Sequence, residues 1–186
     1  ANSIADLALQ KSPATLEALL DLDLNGSSVK AQVQEKVSAI GELINVSAYE
    51  TVSGESVVPY NHMGNKIGVL VALNKPLSDH VTTVGKDVAM QIAAMNPVAV
   101  DASGVPAEAV EREKAIAKEK AVAAGKPANI LDKIADGAAN TYIKENTLLT
   151  QPFVKDGSKT VQQVLASAES GLTVTAFKRV ERGTTK

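Results

Sequence analysis

A seven-residue apolar run at 67–73, Ile-Gly-Val-Leu-Val-Ala-Leu, limits the folds open to this chain more than any other feature. Its length fits a single strand, and its lack of polar positions predicts that the strand is buried. Asn74-Lys75-Pro76 follows at once and ends it. A helix that crosses a bilayer needs about 20 such residues, so the run predicts a buried sheet rather than a membrane span.

The polar segment just before this strand contains His62, one of two histidines in the chain. Glycines at 64 and 68 allow the backbone to turn tightly and another chain to approach closely. We therefore expect His62 on a loop at the strand edge, pointing outward. The residues alone leave two readings open, a role in recognition and an exposed loop histidine without a role.

The composition excludes several classes of protein. Hydrophobic residues make up 45% of the 186 residues but aromatic residues only 3%, so the core must be built from Ala, Val, Leu and Ile. The net charge is −2, and no run of Lys or Arg forms the basic stripe of a nucleic-acid-binding protein. Without any cysteine, the chain has no disulfide, thiolate metal site or cysteine nucleophile, and a reducing compartment is its natural location.

Helical and strand patterns alternate along the rest of the chain and predict an α+β fold. We expect one helix to begin at Ser12, another to end at Gly41, and a third to begin after Ser78. The predicted helices cover 3–10, 12–20, 28–40, 79–95, 106–124, 129–145 and 160–168. The predicted strands cover 43–52, 56–58, 67–73 and 172–180, the first three forming an antiparallel meander.

Residues 106–145 predict an antiparallel helical hairpin that turns at Gly125-Lys126-Pro127. Eight of the thirteen residues at 108–120 are charged, so we expect this hairpin to protrude into solvent. Its two helices should meet along a narrow seam of small and aliphatic side chains. The expected seam residues are Ala117, Ala121, Ala124, Ile130, Ile134 and Ala138.

No enzyme signature emerges from the motifs. Neither of the two glycine-rich nucleotide-binding patterns occurs, so we expect no bound nucleotide. A metal site at His62 and His80 would need distant loops to converge and lacks carboxylates at ligand spacing. His80 beside Asp79 reads as a surface residue in the first turn of a helix rather than as a catalytic dyad. We expect no catalytic residue, metal or other cofactor, and a protein-binding role.

Several short motifs together resemble bacterial-type elongation factor Ts. They occur in the family's order between residues 29 and 180. The motifs are Ser38-Ala39-Ile40-Gly41-Glu42, Tyr60-Asn61-His62, Lys66-Ile67-Gly68-Val69-Leu70-Val71, Gly125-Lys126-Pro127, Thr150-Gln151-Pro152-Phe153-Val154 and Ser158-Lys159-Thr160-Val161.

The resemblance implies two small antiparallel-sheet lobes with flanking helices and a protruding coiled-coil hairpin. On this basis residues 1–55 are the remainder of the first core lobe, 56–104 and 148–186 form the second core lobe, and 105–147 form the hairpin. The implied function is guanine-nucleotide exchange on elongation factor Tu, in the cytoplasm or else in a mitochondrion or plastid. Neither nucleic acid nor membrane is an expected direct partner.

The resemblance also implies which residues contact the GTPase. Ile40 and Gly41 would do so from the first lobe. Tyr60, Asn61, His62 and Met63 would do so from the second lobe. None of these contact roles is covalent.

The sequence departs from the family pattern at its start, where the N-terminal helical module and the Thr-Asp-Phe-Val motif are not found, and at Leu43, where the family usually has Asn. We therefore expect reduced exchange activity from this fragment. One alternative is a structural or self-associating fragment that forms a homodimer through the hairpin. A hydrolase using His62 or His80 ranks last because no nucleophile signature accompanies either histidine.

Overall fold

The computed structural model describes residues 1–183, which form two compact units: Ala1–Thr51 with Gly183, and Val52–Arg182. The α-helices are α1 Asn2–Lys11, α2 Leu16–Asp21, α3 Val29–Ile40, α4 Asp79–Met95, α5 Ala107–Ala123, α6 Leu131–Asn146 and α7 Val161–Ala168. The strands are β1 Asp23–Leu24, β2 Ser27–Ser28, β3 Ser56–His62, β4 Ile67–Leu73, β5 Pro152–Phe153, β6 Asp156–Thr160 and β7 Val174–Glu181. The predicted α+β class is confirmed.

Local capping decides the helix ends of the first unit. The Ser28 hydroxyl accepts the Ala31 N–H at 3.2 Å and begins α3, which ends at Gly41 as predicted. The predicted start of the second helix at Ser12 is wrong. Ser12 instead ends α1, because its own N–H donates to the Ala8 carbonyl at 2.8 Å. The N-cap of α2 is Thr15, whose hydroxyl accepts the Ala18 N–H.

The predicted strand over 43–52 is also wrong. Residues 41–55 contain neither a helix nor a strand. Leu43 is 91% exposed and Ile44 39% exposed. A strand must pair its backbone groups with a neighbour, and within the described residues this segment has none, so its β-branched composition alone does not produce one.

An antiparallel three-stranded sheet, in the order β3-β4-β7, organises the second unit. The predicted strand 67–73 is confirmed as β4. The third strand is β7, and not the segment 43–52 that the predicted meander required. β3 is longer than predicted and extends to His62, which lies opposite Ile67.

Helix α4 covers one face of this sheet and forms the main core with it. Ser78 caps its start as predicted, and Asn96 ends it in the left-handed conformation. Each fully buried aliphatic side chain contributes roughly 1.5–3 kcal/mol. The core side chains from these elements and α7 include Val58, Val69, Val71, Leu73, Val81, Val84, Val88, Ile92, Val161 and Leu165.

Helices α5 and α6 pack against each other as an antiparallel hairpin. Lys114 pairs with Asp136 at 3.1 Å, and Lys118 with Asp132 at 2.8 Å, which fixes the opposite directions of the two helices. Ala121 is buried as predicted, whereas the predicted seam residue Ala124 is exposed because α5 ends at Ala123. The opposite side of the seam buries Ala135 and Ala139, with Ile134 and Ala138 half-buried beside them. Its coiled-coil character and its protrusion stay predictions. No helix among residues 1–183 is long and apolar enough to cross a bilayer.

Candidate partner-binding surface

The first predicted contact region is the end of α3. Ile40 is the last residue of the helix and is 57% exposed. Gly41 adopts φ 78° and donates its N–H to the Val37 carbonyl at 2.9 Å. A Cβ at this glycine would meet nothing within 4 Å, so backbone conformation and not space requires glycine here. The result is an apolar side chain exposed beside a rigid helix end.

The second predicted contact region lies at the turn between β3 and β4. Met63, Gly64 and Asn65 have φ values of 50°, 62° and 66°. The Lys66 N–H closes the turn on the His62 carbonyl at 3.1 Å. Glycine and asparagine tolerate this left-handed conformation, but methionine adopts it at a cost of about 1–2 kcal/mol. The turn nevertheless leaves the Met63 side chain 68% exposed.

Tyr60 and His62 occupy alternate positions of β3 and therefore lie on the same face as Val58. The Tyr60 hydroxyl lies 3.0 Å from His62 Nδ1, and the two ring centroids are 5.8 Å apart. Both residues are half-buried, whereas Asn61 on the opposite face is exposed. The prediction of an outward-pointing loop histidine is thus wrong: His62 ends a strand and shares the core-side face of the sheet.

Two charged residues of β7 share this face, and sequence reasoning missed them. Arg179 lies opposite Val69, and Glu181 opposite Ile67. The Arg179 guanidinium group is 3.1 Å from the Glu181 carboxylate and 3.4 Å from the Ala93 carbonyl near the end of α4. Lys66 adds a contact to Glu181 at 3.6 Å. The alternation of charged residues with β7's other positions was the available signal.

A buried amide network holds the segment after α6. Gln91 is fully buried in α4 and donates to Gln151 Oε1 and to the Pro152 carbonyl, both at 3.1 Å. Its Oε1 accepts the Val154 N–H at 2.8 Å. Gln151 in turn donates to the Glu145 carbonyl at 2.9 Å. These bonds fix the backbone of the Gln151-Pro152-Phe153-Val154 motif and leave Val154 43% exposed.

The six predicted contact residues fall into two groups. Ile40 and Gly41 belong to the first unit, whereas Tyr60, Asn61, His62 and Met63 belong to a single hairpin of the second. His80 is exposed in the first turn of α4. Within residues 1–183, no three His, Asp or Glu side chains converge as metal ligands would. The arrangement offers apolar and hydrogen-bonding contacts to another macromolecule.

The family model described as Elongation factor TS matches residues 1–184. Elongation factor Ts of Amoebophilus asiaticus is 51% identical over 180 residues, which are 97% of this chain and 65% of that protein. Elongation factor Ts of Cytophaga hutchinsonii is 45% identical over 96% of this chain and 64% of its own length. That of Porphyromonas gingivalis strain ATCC 33277 is 44% identical over 95% and 64%. The chain therefore spans slightly under two thirds of the length of these relatives.

Proposed function

This chain belongs to the elongation factor Ts family, and we propose that it binds elongation factor Tu and promotes the release of GDP from it. The observation that carries this proposal is the β3–β4 hairpin, which exposes Met63 beside a hydrogen-bonded Tyr60–His62 pair. The family match over almost the whole chain supplies the partner. We expect the protein to act in the cytoplasm, without direct contact with nucleic acid or membrane.

Exchange of this kind requires differential affinity and no covalent step. A factor that binds the nucleotide-free GTPase more tightly than the GDP-bound form weakens GDP binding by the same coupling factor. The contacts need only stabilise the nucleotide-free conformation. Nucleotide release then becomes faster while the overall nucleotide equilibrium stays unchanged.

We assign the contact role to the six residues named above. Ile40 and Met63 expose apolar side chains whose burial would favour binding. Gly41 and the left-handed turn fix the backbones that present them. Tyr60, Asn61 and His62 add polar groups that can select a partner.

The two histidines of the chain provide a matched test of the hairpin. His62→Ala should weaken binding to nucleotide-free elongation factor Tu about tenfold or more, as expected for a residue central to an interface. His80→Ala removes an equivalent side chain that is exposed in α4 and outside the proposed surface, so its affinity should stay unchanged. Isothermal titration calorimetry measures both. Equal affinity for the two variants would exclude the proposed role of the hairpin.

We further propose that the 186-residue chain, assayed by itself, accelerates GDP release less than a longer chain that includes a Thr-Asp-Phe-Val motif. The motif is implicated by the family resemblance in displacing magnesium from the GTPase. Release of fluorescent GDP from elongation factor Tu, measured by stopped flow with each chain, tests this. Equal acceleration would show that the motif is dispensable.

Self-association through the hairpin is a second candidate role. Ile116 and Val122 expose 37% and 58% of their surfaces on α5. Pairing of two hairpins would cover such side chains. Sedimentation equilibrium of the chain and of a double variant, Ile116→Lys with Val122→Lys, would show a loss of dimer in the variant, and a monomeric parent chain would exclude the role.

A further inference from the structure

The Tyr60–His62 pair determines which nitrogen of the histidine can face a partner. Within residues 1–183, the Tyr60 hydroxyl is the one side-chain hydrogen-bond partner of His62, and it lies at Nδ1. Nε2 therefore remains available for another molecule. The argument rests on the proposed function, in which His62 contacts the GTPase.

Two hydrogen-bond arrangements are chemically distinct at this 3.0 Å distance. In one, the phenol donates to an unprotonated Nδ1, and the neutral imidazole carries its proton on Nε2. In the other, Nδ1–H donates to the phenol oxygen, and Nε2 is an acceptor. A phenol oxygen shares its lone-pair density with the ring, which makes it a good donor and a poor acceptor, while an unprotonated imidazole nitrogen is a strong acceptor. The first arrangement is therefore favoured.

We infer that Tyr60 is a positioning residue that holds neutral His62 in its Nε2–H form, so that the histidine presents a hydrogen-bond donor to an acceptor oxygen on the GTPase. The hydrogen bond made by one ring nitrogen sets the protonation of the other. A donor with a fixed direction loses less orientational entropy on binding than a freely rotating one.

The fold makes this positioning effective because both residues belong to one strand. β3 pairs with β4 through Tyr60 opposite Val69 and His62 opposite Ile67, so the spacing of the two rings is fixed by the sheet. Tyr60 also packs against the hydrophobic core of the second unit, which anchors its ring. A histidine on an exposed loop would lack such an anchor.

The first experiment observes the tautomer in the isolated chain, without a partner. Nitrogen-15 NMR of the imidazole at a pH where the ring is neutral should show Nε2 protonated and Nδ1 unprotonated. Tyr60→Phe removes the hydroxyl and keeps the ring, so a population protonated at Nδ1 should appear. Tyr142→Phe makes the same chemical change on α6 and should leave the His62 spectrum unchanged. A parent chain protonated at Nδ1, or an identical His62 spectrum in Tyr60→Phe, would overturn the inference.

The second experiment measures affinity for nucleotide-free elongation factor Tu. Tyr60→Phe should weaken binding about fivefold, the effect of losing one hydrogen bond of ordinary strength. His62→Gln places an N–H donor near the position of Nε2 and should retain most of the affinity, whereas His62→Asn places it near Nδ1 and should bind as weakly as His62→Ala. Equal affinities for the Gln and Asn variants would overturn the donor assignment.

The two readouts separate failure of the inference from failure of the proposed function. If the tautomer responds to Tyr60→Phe but His62→Ala binds normally, the contact role of His62 is wrong, and with it the presentation of Nε2–H to the GTPase. If His62→Ala weakens binding but the tautomer ignores Tyr60, the contact stands and the positioning role is wrong.

Discussion

Gly85 and Gly137 both lie inside helices, but their surroundings give opposite expectations for the same substitution. A Cβ at Gly85 would lie 2.7 Å from Val58 Cγ2 and 3.3 Å from Leu73 Cδ1, whereas one at Gly137 would meet nothing within 4 Å. Alanine gains about 1 kcal/mol of helix propensity over glycine. At Gly85 that gain is smaller than the overpacking cost of about 1–3 kcal/mol, because Val58 is stiff and buried.

We therefore expect Gly85→Ala to destabilise the protein by about 1–2 kcal/mol and Gly137→Ala to stabilise it by about 0.5–1 kcal/mol. Urea unfolding followed by far-UV circular dichroism measures both, since the chain has no tryptophan. A stabilised Gly85→Ala variant would mean that α4 can move away from β3 at little cost.

Gln91 is the residue whose loss should disturb the polar core most. Gln91→Leu keeps a similar volume but leaves the Val154 N–H and the Pro152 carbonyl without their partner. Unsatisfied buried groups of this kind cost roughly 1–3 kcal/mol each, so we expect a loss of about 2–4 kcal/mol. The matched control is Gln162→Leu on the exposed side of α7, which should change stability by less than about 0.5 kcal/mol. Chemical denaturation of both variants tests the difference.

Among the elements, the α5–α6 hairpin depends most on charges. The hydrogen bond from the Lys118 ammonium group, and then its positive charge, hold the pKa of Asp132 below its usual range. A carboxyl group with a lowered pKa stabilises the folded state above its unfolded pKa, near 3.9, and that contribution is lost as the pH falls through the folded value. The pair is exposed and its contribution is small.

We accordingly expect Asp132→Asn to be slightly less stable than the parent chain at pH 7 and equal to it at pH 3. High salt at pH 7 should reduce the same difference by screening. Exchanging the charges, Lys118→Asp with Asp132→Lys, should restore part of the stability that either single change removes. Thermal melts at the two pH values test this, and a difference that persists in acid would contradict the ion-pair explanation.

The sequence predicted those elements whose ends depend on local chemistry. Ser28, Gly41 and Ser78 fix the ends of α3 and α4 within the neighbouring turn, and the predicted bounds agree within one residue. The strand at 43–52 failed because a strand requires a partner that composition does not reveal. The placement of His62 failed because the same signal of glycines fits both a loop and a strand end.

The candidate surface was predictable only in part for a related reason. The approach of Arg179 to His62's face depends on pairing between β4 and β7, which lie more than 100 residues apart in the chain. Pairing of such distant segments cannot be read from periodicity. The contact roles of the six residues and the three predicted domain ranges stay predictions.

At the scale of the whole molecule, each compact unit has its own buried side chains. Leu19 and Val29 are buried in the first unit, and the sheet with α4 forms the core of the second. The chain passes from one unit to the other through residues 42–55, which form no helix or strand. Proteases cleave such exposed, irregular segments in preference to helices.

The protease Glu-C, which cuts after glutamate, should therefore cleave first after Glu42. This residue is exposed in the irregular segment and precedes Leu43, which is 91% exposed. The control within the same molecule is Glu111, whose side chain is 71% exposed but lies in α5. Mass spectrometry over a time course should detect a fragment beginning at Leu43 before any fragment cut in α5.

Two further results would complete this test. Glu42→Gln should delay the first cut without changing the cleavage rate in α5, because it removes the recognised side chain and leaves the fold intact. The fragment beginning at Leu43 should keep the cooperative thermal transition of the second unit, since all of β3, β4, α4 and β7 lies beyond the cut. Simultaneous cleavage at Glu42 and Glu111 would mean that α5 opens as readily as the irregular segment, and the hairpin would then be no more stable than that segment.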